Sequence, residues 1–495
     1  MNILILNGSP KGKNSITLQT VEYLKILFPE HTYEILHVGQ RIRSLENDFS
    51  EARQALEQAE LILFCYPVYT FLVPAQLHRF IELIRENGVD LSGKFASQIS
   101  TSKHFYDTTA HRFISDSCQD LHLRYIRGLS ADMEDILTKK GQKEARSFFR
   151  FLLWNMQNGF YETGLVRNNK TTFHPVIASD VRETMVKDKL HVALVTDYNP
   201  SASPQELVAM IRRFEKRLPG TCERINLHEF PFQGGCMGCF HCASDGACVY
   251  KDGFDSFLRQ HINSADAVIF AFTIRDHSMG YRFKLYDDRQ FCNGHRTVTM
   301  GKPVGYLVDG ELAAEENLRT LIEARAQVGG NYLAGIATDQ NDPDAEIDQL
   351  VKTVVYAVRN RYTQPQNFYG VGGLKIFRDL IYQMQGLMKE DHRFYKEHGF
   401  YDFPQKKKGR IAGMYLVSAL MSNETLRKKI KIDMTDGMMM AYRKVIEQAE
   451  KEYDREKTAQ KEYDREKAAQ EEYDREKAAQ KEQSHEKAAM QERRA

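Results

Sequence analysis

The sequence has almost no excess charge and no long uninterrupted hydrophobic run. Its 68 lysines and arginines nearly balance its 67 aspartates and glutamates, which argues against a global electrostatic field for nucleic acid or an anionic membrane. The longest apolar stretch, "LILFCYPVYTFLVPA", is interrupted by two prolines and falls short of a bilayer-spanning helix. We therefore expect no nucleic-acid partner and no membrane span.

We also expect no secretory leader. The N-terminal "MNILILNGSP" lacks the basic region and the small-residue cleavage site of a signal peptide, so we expect a cytoplasmic, reducing environment. In that environment, clustered cysteines indicate metal or redox chemistry rather than structural disulfides. The 495 residues are too many for a single hydrophobic core, so we expect several domains.

Apolar runs of strand length alternate with longer segments of helical periodicity, and the pattern occurs twice along the chain. Continuous apolar strands between helices are typical of a parallel sheet covered on both faces. The sequence therefore predicts an α/β fold with two doubly wound parallel-sheet domains. The predicted strands are "NILIL" (2–6), "TYEILHV" (32–38), "LILFCY" (61–66), "FASQIS" (95–100), "HVALVTD" (191–197), "CERINLHEF" (222–230), "AVIFAFTI" (267–274), "PVGYLVDG" (303–310) and "YLAGIATD" (332–339).

The C-terminal third has a different composition. Aromatic and basic residues at helical spacing, from residue 363 onward, predict a helical cap, and a ten-residue repeat such as "KEYDREKAAQ" follows it. Ten residues do not close on a whole helical turn, so the repeated tyrosines precess by about 80° per repeat and form no fixed seam. Strong helix formers dominate the repeat, which predicts a long charged solvated helix, with a coiled-coil or adaptor role as the alternative. The predicted domain limits are 1–185, 186–362, 363–448 and 449–495.

The segment "LNGSPKGKNS" follows the first predicted strand and leads into a helix. Backbone N–H groups at a helix N-terminus form a ready anion site, because the unpaired donors and the helix dipole both favour negative charge. An ordinary strand-to-helix turn with a serine N-cap is the alternative. The chain has neither GxxxxGK[ST] nor GxGxxG with an acidic residue about 20 positions later, which argues against the two common nucleotide-binding loops.

Three segments together, "LNGSPKGKNS", "YPVYTFLVPAQLHRFIELI" and "STSKHFYD", resemble the flavodoxin-like NAD(P)H-dependent FMN reductases and related quinone reductases. Each follows the carboxyl end of a predicted strand, where open α/β sheets bind ligands. The resemblance implies three groups of FMN-binding residues, around the phosphate, against the isoalloxazine ring and at the ring edge. They are Ser9, Lys11, Asn14, Ser15, Ile16 and Thr17; Pro67, Val68, Tyr69, Thr70 and Phe71; and Ser100, Thr101 and His104.

The sequence departs from the family pattern after the second segment. His78 stands at the family's lysine, and Glu82 and Leu83 replace its Asp–Arg pair, whereas "KLYDDRQF" in the second predicted domain restores the pattern. The first loop of that domain, "VTDYNPSASPQEL", has no glycine, and a second FMN held by Ser201 and Ser203 is an alternative. Because such reductases often pair so that one subunit covers the flavin of the other, a tandem chain is expected to reproduce the pairing internally.

Four cysteines cluster in "GGCMGCFHCASDGACVYKDGF". They are Cys236, Cys239, Cys242 and Cys248, spaced C-x2-C-x2-C-x5-C. Short gaps let thiolates converge on one loop, and four soft ligands suit an iron–sulfur cluster or zinc. The segment resembles the motif of iron–sulfur flavoproteins, which implies a [4Fe-4S] cluster near FMN; zinc and a metal-free loop are the alternatives.

The resemblance implies an FMN-dependent NAD(P)H oxidoreductase that passes electrons to a quinone or another small acceptor by a ping-pong mechanism. The cofactor carries the chemistry, so no side chain is predicted to be catalytic. An electron-transfer flavoprotein without substrate turnover, which docks a protein redox partner, is one alternative. A flavin-free scaffold is another, and a homo-oligomer is left open.

Overall fold

The computed structural model places most of the chain. The described residues are 1–159, 161–162, 190–199, 204–340, 342–363, 366–422, 455, 457–463, 465, 467, 470 and 477. Residues Met1–Tyr401 form one compact unit, and the described residues from Asp402 onward belong to a second.

The first sheet follows the chain in the order β2-β1-β3-β4-β5, with β6 also paired to β4, and every pairing is parallel. Its strands are β1 (Asn2–Asn7), β2 (Thr32–Leu36), β3 (Leu61–Pro67), β4 (Phe95–Ser102), β5 (Arg124–Tyr125) and β6 (Leu129–Asp132). The apolar run "LILFCY" is buried along its whole length, because helices cover both faces of the sheet.

Six helices surround this sheet: α1 (Ile16–Leu27), α2 (Val38–Asn47), α3 (Ser50–Gln58), α4 (Ala75–Glu86), α5 (Asp107–Asp120) and α6 (Lys139–Asn158). Alternate side chains of β1 pack into two different hydrophobic clusters, one on each face of the sheet. Ile3 and Ile5 pack in a cluster with Leu18 of α1 and Phe149 of α6, whereas Leu4 belongs to the layer on the opposite face. Short 3₁₀ turns occur at Gly12–Asn14 and Asp135–Leu137.

The second sheet has the order β11-β10-β9-β7-β8 and is also parallel throughout. Counted along the chain, this is the same strand order as in the first sheet. Its strands are β7 (His191–Thr196), β8 (Thr221–Asn226), β9 (Ala267–Thr273), β10 (Pro303–Asp309) and β11 (Tyr332–Thr338). Its helices are α7 (Gln205–Arg217), α8 (His241–Asp245), α9 (Phe254–Phe257), α10 (Gly280–Arg289), α11 (Glu316–Gly329) and α12 (Pro343–Arg359), and a π-helical turn, Leu258–Ile262, continues α9.

We refer to the two layered assemblies as the first and second α/β domains. The helices that follow the third strand of each domain, α4 and α10, pack against each other. One hydrophobic cluster contains Phe80 of α4 and Phe283 of α10. Asn317 of α11 donates to the carbonyl oxygen of Thr109 in α5 over 3.0 Å, which adds a polar contact between the domains. The predicted internal pairing of the two α/β domains is therefore present.

Helices α13 (Phe368–Gln383) and α14 (Lys389–Glu397) belong to the same unit and pack against α11 and α8. In the second unit, a 3₁₀ turn, Pro404–Lys406, precedes α15 (Lys408–Ser422). Residues 457–463 of the repeat are helical, and most of the predicted tail helix lies outside the described residues. The predicted fold class, two flavodoxin-like sheets followed by helices, is confirmed. None of the described helices is both long and apolar enough to cross a bilayer.

Candidate functional site

The loop between β1 and α1 (residues 8–15) is held tightly at the carboxyl edge of the first sheet. Gly8 N donates to the carbonyl oxygen of Cys65 in β3 over 2.9 Å. A Cβ at Gly39 of α2 would lie 2.4 Å or less from the backbone carbonyl group of Ser9, so only glycine permits this approach. The close packing of α2 against the Ser9 backbone therefore fixes the position of the loop.

Part of the loop's donor set is already used within the loop. The amides of Gly12, Asn14 and Ser15 donate to carbonyl oxygens three residues earlier, over 3.0–3.1 Å, which forms the 3₁₀ turn. Ser15 is the N-cap of α1, and its Oγ accepts from Leu18 N at 3.4 Å. The amides of Ile16 and Thr17, the first two of α1, have no acceptor within the helix. They are the donors that remain for an anion, with the helix dipole behind them.

Buried hydroxyls surround these amides. The side chains of Ser9, Ser15 and Thr17 belong to residues that are at most 2% exposed. Thr17 Oγ1 lies 2.6 Å from Thr101 Oγ1 at the end of β4, so the first and third predicted segments meet.

The other residues of the third segment are engaged locally. Ser100 Oγ lies 2.7 Å from His111 Nε2, and burial lowers the pKa of His111 to about 4, which keeps its ring neutral. His104 Nδ1 lies 2.9 Å from Asp107 Oδ2, and about half of its side chain is exposed. Of this segment, Thr101 contacts the first turn of α1, through Thr17.

A strained turn follows β3. Tyr69 and Leu72 exchange backbone hydrogen bonds of 2.8 and 3.0 Å, and the two residues between them have positive φ, +42° at Thr70 and +70° at Phe71. This is the geometry of a type I′ turn, which usually requires Gly or Asn. A threonine and a phenylalanine in these conformations store backbone strain of the kind found at functional sites.

The second α/β domain repeats the turn after β9. Arg275 and Ser278 exchange backbone hydrogen bonds of 2.9–3.0 Å, and the central residues Asp276 and His277 have φ of +50° and +56°. This turn is tied to the first domain: Asp276 contacts Arg85, and His277 Nε2 lies 3.1 Å from Asp120 Oδ2. In the second domain, the turn at the carboxyl end of β9, which corresponds to the turn at Tyr69, is thus occupied by ion pairs.

The second domain forms a wall beside Tyr69. Lys284 Nζ donates to the carbonyl oxygen of Tyr69 over 2.8 Å, and the Tyr69 and Phe291 rings meet edge to face at 5.9 Å. Any Cβ at Gly238 would collide with Tyr69 Oη. Burial, together with the nearby Cys236, raises the pKa of Tyr69 far above its ordinary value, so the phenol stays protonated.

The cysteine loop (residues 236–248) forms part of this wall. Lys11 Nζ of the β1–α1 loop lies 5.2 Å from the centre of the Phe240 ring. Gln76 of α4 donates to the carbonyl oxygen of Cys236 over 3.4 Å. The three predicted FMN segments and the cysteine loop are therefore gathered around one edge of the first sheet.

All four clustered cysteines line one small cavity of about 30 Å³. Cys292, Tyr250, Arg289 and Phe291 also line it; no sequence signal points to Cys292, since it lies 44 residues from the motif's last cysteine. Burial raises the pKa of Cys236 to about 12 and that of Cys242 to about 11, so both are thiols in this arrangement. Arg289, which pairs with Asp252 at 2.7 Å, lies 3.9 Å from Cys248 Sγ.

The spacing of the thiols can be compared with what zinc and an iron–sulfur cluster each require. A tetrahedral zinc with Zn–S bonds of about 2.3 Å holds its sulfurs about 3.8 Å apart. Among the described residues, no three cysteine sulfurs lie within 4.8 Å of one another, so a mononuclear zinc site is not preformed. Four soft ligands around one cavity have the chemistry of an iron–sulfur site, but a cavity of about 30 Å³ does not hold a cubane as the side chains stand, so this site is not preformed either.

Ser201 and Ser203, the predicted donors for a second FMN, lie outside the described residues. Lys284 of "KLYDDRQF", which stands at the family's lysine, reaches into the first domain, where it holds the Tyr69 carbonyl. His78, its counterpart on α4, is completely buried.

Comparisons with known proteins agree with this architecture. Residues 1–112 match the family described as having a flavodoxin-like fold. The iron-sulfur flavoprotein of Archaeoglobus fulgidus is 29% identical over 174 residues, which cover 33% of this chain and 79% of that protein. The predicted resemblance to flavodoxin-like flavoproteins is thereby confirmed.

Two solved structures are also similar to part of the chain. The NAD(P)H:quinone oxidoreductase from Methanothermobacter marburgensis is 13% identical with a TM-score of 0.25, over 33% of this chain and 98% of that one. An FMN-dependent NADH-azoreductase from Bacillus anthracis is 14% identical with a TM-score of 0.25, over 30% of this chain and 99% of that one.

Proposed function

We propose that this chain is an FMN-dependent NAD(P)H oxidoreductase that passes electrons to a quinone or another small acceptor. The observation that carries the proposal is the meeting of the α1 N-terminus, the strained turn at residues 69–72 and the cysteine loop at one sheet edge. The similarity to a protein named an iron-sulfur flavoprotein agrees with a role in flavin-dependent electron transfer.

The phosphate of FMN would bind at the start of α1. The free amides of Ile16 and Thr17 would donate to it, and the hydroxyls of Ser9, Ser15 and Thr17 would complete the shell. Lys11 and Asn14 belong to the same loop. This donor set needs no metal ion, because the helix dipole and main-chain donors compensate the negative charge.

Residues 67–71 would pack against the flavin ring, with Thr101 at the ring edge and Ser100 and His104 nearby. Lys284 holds the Tyr69 carbonyl, so the second domain fixes the conformation of these residues. FMN, when bound, supplies the capacity to take a hydride from NAD(P)H and to release the electrons to the acceptor. The protein's residues bind, orient and restrict access, and no side chain acts as a nucleophile. Donor and acceptor would occupy the same face in turn, which gives ping-pong kinetics.

A second candidate, an electron-transfer flavoprotein without its own substrate turnover, is favoured by the cysteine loop. Cys236, Cys239, Cys242 and Cys248 would hold a [4Fe-4S] cluster next to the Tyr69 side of the site. In that case the cluster would exchange electrons with a protein partner.

Anaerobic purification of the full chain separates these functions. Yellow protein that NADH or NADPH bleaches supports the reductase, and yellow protein that neither nucleotide bleaches supports the carrier. Colourless protein that takes up no FMN on reconstitution would refute both. Counting iron and sulfide per chain, with a Cys239→Ser/Cys242→Ser variant as control, tests the cluster independently of the flavin.

A further inference from the structure

His78 of α4 is an unusual buried residue. It is 0% exposed, and neither of its ring nitrogens has a hydrogen-bond partner. Burial lowers the pKa of His78 to about 3, with Lys284 and Arg85 adding to the effect, so the imidazole is neutral. Buried polar groups are normally satisfied, and each exception calls for a partner that the protein alone does not supply.

Two carboxylates from different domains face this ring. Asp276 Oδ2, in the strained turn after β9, lies 3.8 Å from His78 Nε2. Glu82 lies one helical turn beyond His78 on α4, and the ligand atoms of all three residues lie within 4.8 Å of one another.

Glu82 and Asp276 already have guanidinium partners, but each of these partners also binds other carboxylates. Glu82 accepts from Tyr281 N and from Arg79, each at 3.0 Å. Arg79 also bonds to Glu46 and Glu86, and Arg85 bonds to both Asp120 and Asp276. Two guanidinium groups thus serve five carboxylates. Each carboxylate oxygen has two lone pairs, so acceptor capacity remains for a cation.

The internal duplication shows what this position holds elsewhere in the chain. Lys284 occupies the equivalent position on α10, where its ammonium contacts Asp288, one turn along, and the turn of the opposite domain at Tyr69. His78 is placed in the same way, with Glu82 one turn along and the turn of the opposite domain close by, but there it faces the carboxylate of Asp276 and not a backbone carbonyl. The second domain therefore fills this position with a covalently attached cation, and the first domain offers a neutral imidazole between two carboxylates.

We propose that His78, Glu82 and Asp276 bind a divalent metal ion, zinc by the chemistry of the set, which joins α4 to the second domain. Imidazole nitrogen and carboxylate oxygen are both zinc ligands, and a site with three protein ligands leaves the fourth position to water. Zn–N and Zn–O bonds of about 2.0–2.1 Å place neighbouring ligand atoms of a tetrahedron about 3.4 Å apart. The 3.8 Å separation of His78 Nε2 and Asp276 Oδ2 is close to this value. The site shares no residue with the proposed flavin site or with the cysteine loop.

The test uses the full chain, stripped with a chelator and then titrated with Zn²⁺ or Co²⁺. We expect one metal equivalent that raises the thermal unfolding temperature and, as Co²⁺, gives ligand-field bands without a thiolate charge-transfer band. His78→Lys, which copies the residue of the second domain, should lose this equivalent and its thermal shift, at least a tenfold loss of affinity. Cys239→Ser/Cys242→Ser should keep both.

Two results would overturn the site. One is a His78→Lys protein that binds the metal and gains thermal stability as the parent does; the other is a Co²⁺ spectrum due to thiolates alone. Circular dichroism verifies that His78→Lys is folded. If it is not, Asp276→Asn is the second variant, and retention of the metal and of the thermal shift in that protein counts equally against the site.

Discussion

The side chain of Asp288 accepts a 2.8 Å hydrogen bond from the backbone amide of Ala75, and the two residues belong to different α/β domains. Glu82 makes the equivalent contact in the opposite direction, accepting from Tyr281 N over 3.0 Å. Each acid thus satisfies an unpaired amide in the first turn of the other domain's helix, where negative charge also complements the helix dipole. This reciprocal capping sets how the second domain covers the candidate flavin edge of the first.

Removing Asp288 alone should be more damaging than removing the buried pair that it forms with Lys284. Both side chains are at most 2% exposed, so Asp288→Ala leaves an uncompensated ammonium and should cost about 3–5 kcal/mol of unfolding free energy. The double variant Lys284→Met/Asp288→Leu should lose less, as measured by urea denaturation. A double variant that loses as much unfolding free energy as Asp288→Ala, or more, would contradict the prediction.

Thr17→Val should weaken FMN binding. The change removes a hydroxyl next to the proposed phosphate position while conserving side-chain shape, and hydrogen bonds to charged groups contribute about 1.5–3 kcal/mol. A tenfold or greater rise in the FMN dissociation constant is expected by fluorescence titration. Thr20→Val is the matched control, since Thr20 is also buried on α1, one turn further from the loop. Equal effects of the two variants would count against the assigned phosphate position.

Gly39→Ala should act on the same site from a distance. The added methyl group would collide with the backbone of Ser9 and displace the β1–α1 loop, so FMN affinity should fall together with stability. Gly372→Ala in α13 is the control, because no atom lies within 4 Å of the place its methyl group would take; replacing a helical glycine there should leave stability unchanged or raise it by about 0.5–1 kcal/mol. Tight FMN binding by Gly39→Ala would show that the loop does not hold the phosphate.

His277 should make stability depend on pH in the alkaline range. Burial alone would lower the pKa of His277, but the hydrogen bonds that its ring donates to Asp120 and Glu315, together with their charges, outweigh it and raise the pKa from 6.5 to about 9. The stabilisation is therefore complete below pH 6.5 and is lost as the pH rises towards 9. We expect a loss of about 1–2 kcal/mol across this window, after allowance for solvent screening.

The control for this pH dependence is His277→Gln, in which the loss should be absent. Burial raises the pKa of Asp197 and of Asp309 to about 6, but both groups are present in the parent and in His277→Gln, so the difference between the two proteins isolates His277. Denaturant unfolding at pH 6, 7.5 and 9 measures the difference. Parallel curves for the parent and His277→Gln would rule out the assigned clamp.

Much of the fold follows from local sequence pattern. The strands β1, β3, β9 and β10 are continuous apolar runs because both faces of each sheet are covered. Helix α2 (Val38–Asn47) is not among the predicted elements, because the apolar run "TYEILHV" extends the predicted strand to residue 38, although Val38, Ile42 and Leu45 form a short apolar stripe at helical spacing. The domain limits and the cytoplasmic location stay predictions.

The candidate site is predictable only in part. The β1–α1 loop and the turn at Tyr69 follow recognisable strand ends, so their residues can be grouped from sequence. The contacts that cover them cannot: Lys284 and Tyr69 are separated by 215 residues, and no local propensity encodes their meeting. The same holds for His78 and Asp276, whose proximity depends on the packing of two duplicated domains.

The most direct measurement of the central claim is the flavin content of the full chain, purified anaerobically, reconstituted with FMN and then mixed with NADH or NADPH. The account predicts one FMN per chain, bleached by at least one of the two nucleotides and bound at least tenfold more weakly by Thr17→Val. Protein that stays colourless after reconstitution would contradict it.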